Sequence, residues 1–147
     1  MTRVDFYVLP GSDRRERELL ACRIAEKAYA AGHRVYVHAA SAAEVQALDQ
    51  LLWTFRAGSF VPHVCHPDPE AAHTPVLLGH DHEPDTHTDV LINFAQEVPL
   101  FFGRFERVVE LVDQQPEWLE AARARYRFYR ERGYPLASHK LGEDSRK

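Results

Sequence analysis

Stretches with strand-like and helix-like residue patterns alternate along the first half of the chain, and this alternation restricts the possible folds more than any other feature. The segments are, in order, a strand at 4–9, a helix from Ser12 or Asp13 to about Ala31, a strand at 35–39 and a helix from 41 to about 55. Pro10-Gly11 ends the first strand pattern, and Ser41 with Glu44 forms a capping box. This order predicts an open α/β sheet with right-handed crossovers.

The second half of the chain continues the same architecture. Strand patterns occupy 74–78, 90–94 and 107–112, a helix runs from Pro116 to about Arg132, and 57–73 and 79–89 have loop composition. The nearly continuous apolar run at 90–94 predicts a central strand buried on both faces. We predict one α/β domain over residues 1–141, with a Rossmann-like, mostly parallel open sheet flanked by helices, and a frayed polar tail at 142–147.

Charge is distributed unevenly over the 147 residues. The net charge is −4, which argues against broad sequence-independent binding to nucleic acid, and we expect no direct sequence-specific binding either. Residues 117–147 nevertheless carry eight Lys and Arg against five Asp and Glu, a net +3, which leaves −7 on the remainder. A basic segment on an acidic body favours a local anionic partner.

Several classes of protein lack support in the sequence. No apolar run reaches the ~20 residues of a membrane span, and no signal segment precedes the first strand pattern, so we expect a cytoplasmic protein without a membrane partner. Cys22 and Cys65 do not form a disulfide framework. P-loop, dinucleotide-binding and nucleophile-elbow motifs are missing, and we expect no cofactor and no catalytic residues.

Histidines between positions 63 and 87 leave one alternative open. They are His63, His66, His73, His80, His82 and His87, with Cys65 among them. Structural zinc normally uses two well-spaced ligand pairs, which this segment does not show. Solvated loop residues are the favoured interpretation, and a metal-dependent enzyme using the His63–His87 region is the alternative.

The last helical segment has two distinct faces. At about 100° per residue, one face carries Leu119, Arg123, Tyr126, Arg127 and Arg130, and the other carries Trp118, Ala121, Ala122, Arg125 and Tyr129. Arginines beside an apolar patch suit a peptide that has carboxylates and an aromatic end. A solvated basic helix terminus is the simpler alternative.

Four motifs together resemble one known family. They are Asp5-Phe6-Tyr7-Val8-Leu9, Leu52-Trp53-Thr54-Phe55 followed by Ser59-Phe60-Val61-Pro62-His63, Asp89-Val90-Leu91-Ile92-Asn93, and Arg123-Ala124-Arg125-Tyr126-Arg127-Phe128-Tyr129-Arg130. In order and spacing they resemble the chi subunit of bacterial DNA polymerase III over roughly the whole chain. The resemblance implies a Rossmann-like protein without catalytic machinery. It also implies binding to the acidic tail of the single-stranded DNA-binding protein (SSB), which ends in Pro-Phe with a free carboxylate.

The resemblance further implies a partner that is either the psi subunit of the clamp loader or a DinG-like helicase, and it assigns roles to residues. Arg123 resembles the family's main arginine that binds the terminal carboxylate of the tail. Tyr126 resembles a residue that forms part of the pocket for the terminal Phe, and Arg127 resembles a basic residue that contacts the tail's aspartates. The resemblance also implies rim contacts at Arg130, Val112, Leu136 and Ser138. Leu119 lies at a position where the family can carry a lysine. The leucine could line the pocket but could not supply the charge of that lysine.

Trp53 and Phe60 match the residues that dock psi or the helicase in that family. The alternative for Trp53 is a core position, because it follows Leu52 at the end of a helix and Trp is usually largely buried. Phe60 lies beside Gly58 in a loop, and we expect its ring to be exposed.

Overall fold

Residues 1–142, which the computed structural model describes, fold around one sheet of parallel strands. The strands are β1 (Arg3–Val8), β2 (Val35–His38), β3 (His63–Cys65), β4 (Val76–Gly79), β5 (Val90–Asn93), β6 (Arg107–Val112) and β7 (Leu136–Lys140). The α-helices are α1 (Arg14–Ala30), α2 (Ala42–Thr54) and α3 (Pro116–Glu131), and short 3-10 turns lie at Ala71–His73 and Phe102–Arg104.

The strand order is β3-β4-β2-β5-β6-β1-β7, and every pairing is parallel. The predicted α/β class and Rossmann-like open sheet are therefore confirmed, with a fully parallel sheet rather than a mostly parallel one. β5 is the middle strand and all four of its residues are buried, as the apolar run predicted. Helices cover both faces, as parallel sheets require.

Each face of the sheet has its own apolar core. α1 and α2 pack on one face, where Leu20, Leu48 and Ile92 belong to one cluster of buried residues. α3 packs on the other face, where Ala122, Tyr129 and the strand residues Phe6 and Val108 form a second cluster. Alternate residues of the inner strands point into opposite clusters, which explains why their sequences are apolar without a clear alternation.

Local signals place the helix termini as expected. The Asp13 side chain accepts a hydrogen bond from the backbone N–H of Arg15 at 2.9 Å and begins α1. Ser41 Oγ accepts the Glu44 N–H at 3.2 Å, and the Glu44 carboxylate accepts the N–H of Ala40 at 2.8 Å. The reciprocal bond of this capping box therefore reaches one residue further back than the standard motif.

Two strands, β3 and β7, were not predicted, and the prediction of a loop over the whole of 57–73 was wrong. The segment 57–73, predicted as loop, contains β3, and β7 follows α3 where we predicted no element. Both strands lie at the edges of the sheet. β3 has only three residues, and four of the five residues of β7 are exposed, so neither shows the apolar pattern of a buried strand.

The predicted polar tail falls almost entirely on residues 143–147, which lie outside the described residues. Within residues 1–142, no helix combines the length and the apolar character needed to cross a bilayer.

Candidate functional site

One side of α3 is fixed against the sheet. Trp118, Ala122, Arg125 and Tyr129 are buried, at positions that the helical periodicity assigned to the inward face. Trp118 Nε1–H donates to the backbone oxygen of Leu111 on β6 at 2.8 Å. This contact and the apolar packing set the rotation of the helix about its axis.

A buried polar network centred on Glu110 completes the attachment. Arg125 Nε donates to Glu110 Oε1 at 2.8 Å, and Tyr129 Oη–H donates to Oε2 at 2.7 Å. Asn93 Nδ2 donates to the same Oε2 at 3.1 Å. Burial, reinforced by the neighbouring Glu110 carboxylate, raises the pKa of Tyr129, so its hydroxyl stays a proton donor.

The other side of α3, here called the α3 face, consists of Leu119, Arg123, Tyr126, Arg127 and Arg130. The three arginines are exposed, and Leu119 and Tyr126 are half-buried. Among residues 1–142, no ion pair or hydrogen bond engages these three guanidinium groups. Tyr126 stands edge-on to Phe6 of β1, with ring centroids 5.2 Å apart, and the Arg130 guanidinium lies 6.0 Å from the Tyr126 ring.

The remaining predicted contacts lie on the strands beside this helix. Leu136 and Ser138 are on β7, paired with Val4 and Phe6 of β1. Paired residues of parallel strands point to the same side, and Val4 and Phe6 belong to the cluster under α3, so Leu136 and Ser138 face α3 as well. Val112, on β6, is only 3% exposed and offers a ligand the least surface of the predicted set.

Polar contacts on the opposite side of the sheet hold β7 against β1. Asp5 accepts hydrogen bonds from Arg107 Nε at 2.7 Å and pairs with His139 Nε2 of β7 at 3.1 Å. Arg107 also donates to the Tyr7 hydroxyl at 2.6 Å, and the Tyr7 ring stacks on His139 with centroids 4.7 Å apart. Side-chain contacts as well as backbone hydrogen bonds to β1 therefore hold β7, the strand that carries Leu136 and Ser138.

Trp53 and Phe60, here called the Trp53 patch, form a second surface. Trp53 is 49% exposed and Phe60 is 66% exposed, so the core alternative for Trp53 does not hold. The two rings lie 5.8 Å apart between centroids, and Trp53 also contacts the buried His63 at 4.5 Å. The Trp53 patch is beside β3 at one edge of the sheet, whereas the α3 face lies toward β7 at the other edge.

The structure does not gather the histidines of the 63–87 region into a ligand set. His63 and His87 are buried and hydrogen-bonded to the backbone oxygens of Val61 and Thr74. His66 and His82 stack on each other, with centroids 3.4 Å apart. In the part of the chain that is described, no three His, Cys, Asp or Glu side chains are placed to hold a metal ion.

Neither cysteine has the character of an activated nucleophile. Cys22 lies in the core, where it is 2% exposed, and burial raises the pKa of its thiol to about 12. Burial, with the nearby Asp49 carboxylate, raises the pKa of the Cys65 thiol to about 11. Reactive cysteines instead have lowered pKa values, because the thiolate is the nucleophile.

Two residues beside the α3 face were not identified from the sequence. Val8 is half-buried at the end of β1, and Lys140 is exposed opposite it on β7. Both side chains lie on the α3 side of the sheet, because Val8 packs against the cluster beneath that helix. Lys140 could have been identified if a strand that pairs with β1 had been predicted after Gly133. The sequence there has no apolar pattern, so that strand was not predicted.

Comparison with known proteins gives a consistent assignment. The family model described as "DNA polymerase III chi subunit, HolC" matches residues 1–137. The "DNA polymerase III subunit chi" of Pseudomonas aeruginosa is 49% identical over 142 residues, which cover 96% of this chain and 98% of that protein. The protein of the same name from Escherichia coli is 30% identical, covering 81% of this chain and 82% of that protein.

A solved structure is similar at the level of the fold alone. The crystal structure of T4 UvsW superposes with a TM-score of 0.67 at 11% sequence identity, covering 95% of this chain and 41% of that chain. The present chain thus spans about two fifths of the length of that protein. The family match and the relatives over nearly full length decide the assignment: the chain belongs to the family of DNA polymerase III chi subunits, accessory subunits of a replicative polymerase.

Proposed function

We propose that this protein is a non-catalytic adaptor with two binding surfaces. The α3 face binds the acidic C-terminal tail of SSB, and the Trp53 patch binds the psi subunit of the clamp loader or a DinG-like helicase. The observation that carries the proposal is the presence, on one side of α3 and beside Leu119 and Tyr126, of three exposed guanidinium groups with which no residue among 1–142 forms an ion pair.

The chemistry of the α3 face suits such a tail. A guanidinium group can hold a carboxylate with two parallel hydrogen bonds, and Arg123, Arg127 and Arg130 supply three such groups. Leu119 and Tyr126 offer half-buried apolar surface on which an aromatic ring can pack. By the family resemblance, Arg123 takes the terminal carboxylate and Tyr126 part of the terminal ring.

The way α3 is attached also favours recognition. Arg125 and Tyr129 fix the inward side of the helix through Glu110, so the exposed arginines project from a backbone that is already ordered. A preorganised surface loses less conformational entropy on binding than a flexible one. Most of the entropic cost then falls on the peptide.

The Trp53 patch has the composition of an interface anchor. Trp and Tyr are enriched among residues that dominate binding energies, and two adjacent exposed rings provide a compact apolar contact. The Trp53 ring packs against His63, which is held by one hydrogen bond with Val61 O and by a 3.1 Å contact with Asp49. The patch is therefore expected to keep its shape when a partner is absent.

Binding of a labelled peptide that copies the SSB tail tests the proposal. We expect saturable binding that weakens as salt rises, because opposite charges are screened. Arg123→Ala should lose about 2 kcal/mol, roughly thirtyfold in Kd. A peptide with an amidated C-terminus should bind Arg123→Ala and the unmodified protein with similar, low affinity.

Arg23→Ala is the matched control for this experiment. Arg23 is exposed on α1, on the other side of the sheet, so its replacement removes the same charge without touching the α3 face. If Arg123→Ala and Arg23→Ala weaken binding equally, the peptide responds only to overall charge and the assignment of the α3 face is wrong. Absence of binding by the unmodified protein would remove the proposed function itself.

A further inference from the structure

The outer edge of β7 presents backbone groups that no other described strand meets. β7 stands last in the strand order and pairs only with β1. The Leu141 N–H donates to Val8 O at 2.8 Å, so residue 141 directs its N–H toward β1. Residues of a strand alternate in this respect. The N–H and C=O groups of Leu136, Ser138 and Lys140 therefore point away from the sheet.

The same three residues direct their side chains toward α3. Val8, paired with Lys140, packs against the apolar cluster under α3, as do the β1 partners of the other two residues. Their outward backbone groups and the guanidinium groups of the α3 face are thus on one side of the molecule. A chain segment lying along this edge meets hydrogen-bond donors and positive charge together.

The charge at this edge selects the kind of segment that fits. Edge strands usually carry devices that prevent pairing with other chains, such as an outward Lys, a Pro or a bulge. In β7 the residue that opposes such pairing is Lys140. Its charge repels a basic strand but attracts an acidic one. His139 faces the other side of the sheet and is already paired with Asp5, so the positive charge is concentrated on the α3 side.

We infer that an acidic peptide binds in extended conformation along β7 as an additional strand of the sheet. The inference rests on the proposed function, since the occupant is the part of the SSB tail that precedes its terminal Phe. Ser138 and Lys140 contribute backbone hydrogen bonds, as in other cases of strand addition to a sheet edge. Every second side chain of the peptide then faces Lys140 and the arginines of the α3 face, while the alternate ones face away from them.

A scan of backbone N-methyl groups along the peptide tests this geometry. Each variant peptide methylates one backbone N–H upstream of the terminal Pro-Phe, whose proline has no N–H, and keeps every side chain. In an added strand, alternate N–H groups point toward β7. We expect N-methylation to weaken binding roughly three- to tenfold at every second residue and to have little effect at the residues between. A profile without this period of two would overturn the inference.

Two variants of the protein provide an independent measurement. Ser138→Ala and Ser138→Pro both remove the hydroxyl, but only the second removes the outward backbone N–H. Proline is tolerated on edge strands where the N–H faces solvent. We expect Ser138→Pro to bind the unmodified peptide at least threefold more weakly than Ser138→Ala does. Equal affinities, in proteins with the same thermal midpoint, would contradict strand addition; if Ser138→Pro does not fold, the N-methyl scan decides.

Failure of this inference can be distinguished from failure of the proposed function. If the unmodified peptide binds and Arg123→Ala weakens it, but the N-methyl profile is flat, the α3 face stands and strand addition is wrong. If the unmodified peptide does not bind at all, the proposed function is wrong and strand addition loses its occupant.

Discussion

Arg125 differs from the other arginines of α3 in being only 2% exposed. Its Nε donates to Glu110 and its Nη1 donates to Gln96 O at 2.9 Å, while the guanidinium lies 4.6 Å from the Trp118 ring. Arg127, two residues later, has the same side chain in solvent. Arg125 thus attaches α3 to the sheet, whereas Arg127 is available for the proposed binding.

This difference predicts opposite effects of the same substitution. Arg125→Ala leaves the Glu110 carboxylate buried without its cationic partner, and we expect the free energy of unfolding to fall by about 3–5 kcal/mol. Arg127→Ala should change it by less than about 0.5 kcal/mol. Urea unfolding of both variants measures this. A loss below about 1 kcal/mol for Arg125→Ala would mean that the buried pair does not hold α3.

Asp5 predicts how stability depends on pH. Burial alone would raise the pKa of its carboxyl, but the hydrogen bonds from Arg107 and His139 outweigh burial and hold it below the ordinary value of 3.8. A depressed folded-state pKa stabilises the fold above the unfolded-state pKa, and the contribution is lost as pH falls through the folded-state value.

Asp5→Asn should therefore destabilise the protein at pH 7 and make a smaller difference near pH 3. Urea unfolding of the two proteins at both pH values provides the comparison. The Asn side chain keeps the size of Asp and lacks its charge, so packing changes little. A difference in free energy of unfolding that is the same at both pH values would exclude the charge on Asp5 as its cause.

At the scale of elements, the end of α3 determines where β7 begins. The Gly133 N–H donates to Arg130 O at 3.0 Å and the Tyr134 N–H to Tyr129 O at 3.2 Å, which is the pattern of a Schellman motif. Gly133 has a φ of +78°, a conformation that a side chain disfavours. This reversal returns the chain to the edge of the sheet beside β1.

Gly133→Ala should lower the free energy of unfolding by about 1 kcal/mol. An added Cβ would meet no atom within 4 Å, so backbone strain is the whole effect. Gly103→Ala is the control, because its Cβ would make only an ordinary contact with the Tyr134 hydroxyl at 3.8 Å. Thermal or urea unfolding distinguishes them, and equal stability of the two variants would argue against strain at Gly133.

At the scale of the whole molecule, the two candidate surfaces lie toward opposite edges of the sheet. β3 and β7 are six strand spacings apart, which is roughly 30 Å. Surfaces so far apart leave room for two proteins at once. An adaptor needs such an arrangement, because one partner must remain bound while the other arrives.

We therefore expect the psi subunit and the SSB-tail peptide to bind simultaneously and independently. The Kd for the peptide should be the same, within about twofold, with and without saturating psi, because no coupling free energy links separate rigid sites. Trp53→Ala should weaken psi binding without changing the peptide Kd. Fluorescence anisotropy of the labelled peptide, with psi titrated separately, measures both.

Leu100→Ala is the control for Trp53→Ala, since Leu100 is fully exposed but lies outside the Trp53 patch. It should leave psi binding unchanged. Competition between psi and the peptide would show that the two surfaces are not separate. If Leu100→Ala and Trp53→Ala weaken psi binding equally, general loss of apolar surface and not the patch would be responsible.

The sequence by itself determined the inner part of this fold. The apolar strands β2, β5 and β6 and the three helices were predicted because burial on both faces and the capping residues leave strong local patterns. The helical period also separated Arg125 from Arg123 and Arg127, since angular position on α3 follows from spacing alone. Exposure of Phe60 was expected from its place in a loop beside Gly58.

Only the tertiary structure decided the edges of the sheet and the surroundings of the candidate site. β7 is held by pairing with β1, which is distant in sequence, and the three-residue β3 by pairing with β4, so neither sequence carries a signal of its own. The exposure of Trp53 and the position of Lys140 beside the α3 face depend on which strands end the sheet. Backbone hydrogen bonds between neighbouring strands set that order. Every residue can accept such a bond and every residue except proline can donate one, so these bonds leave no pattern in the sequence.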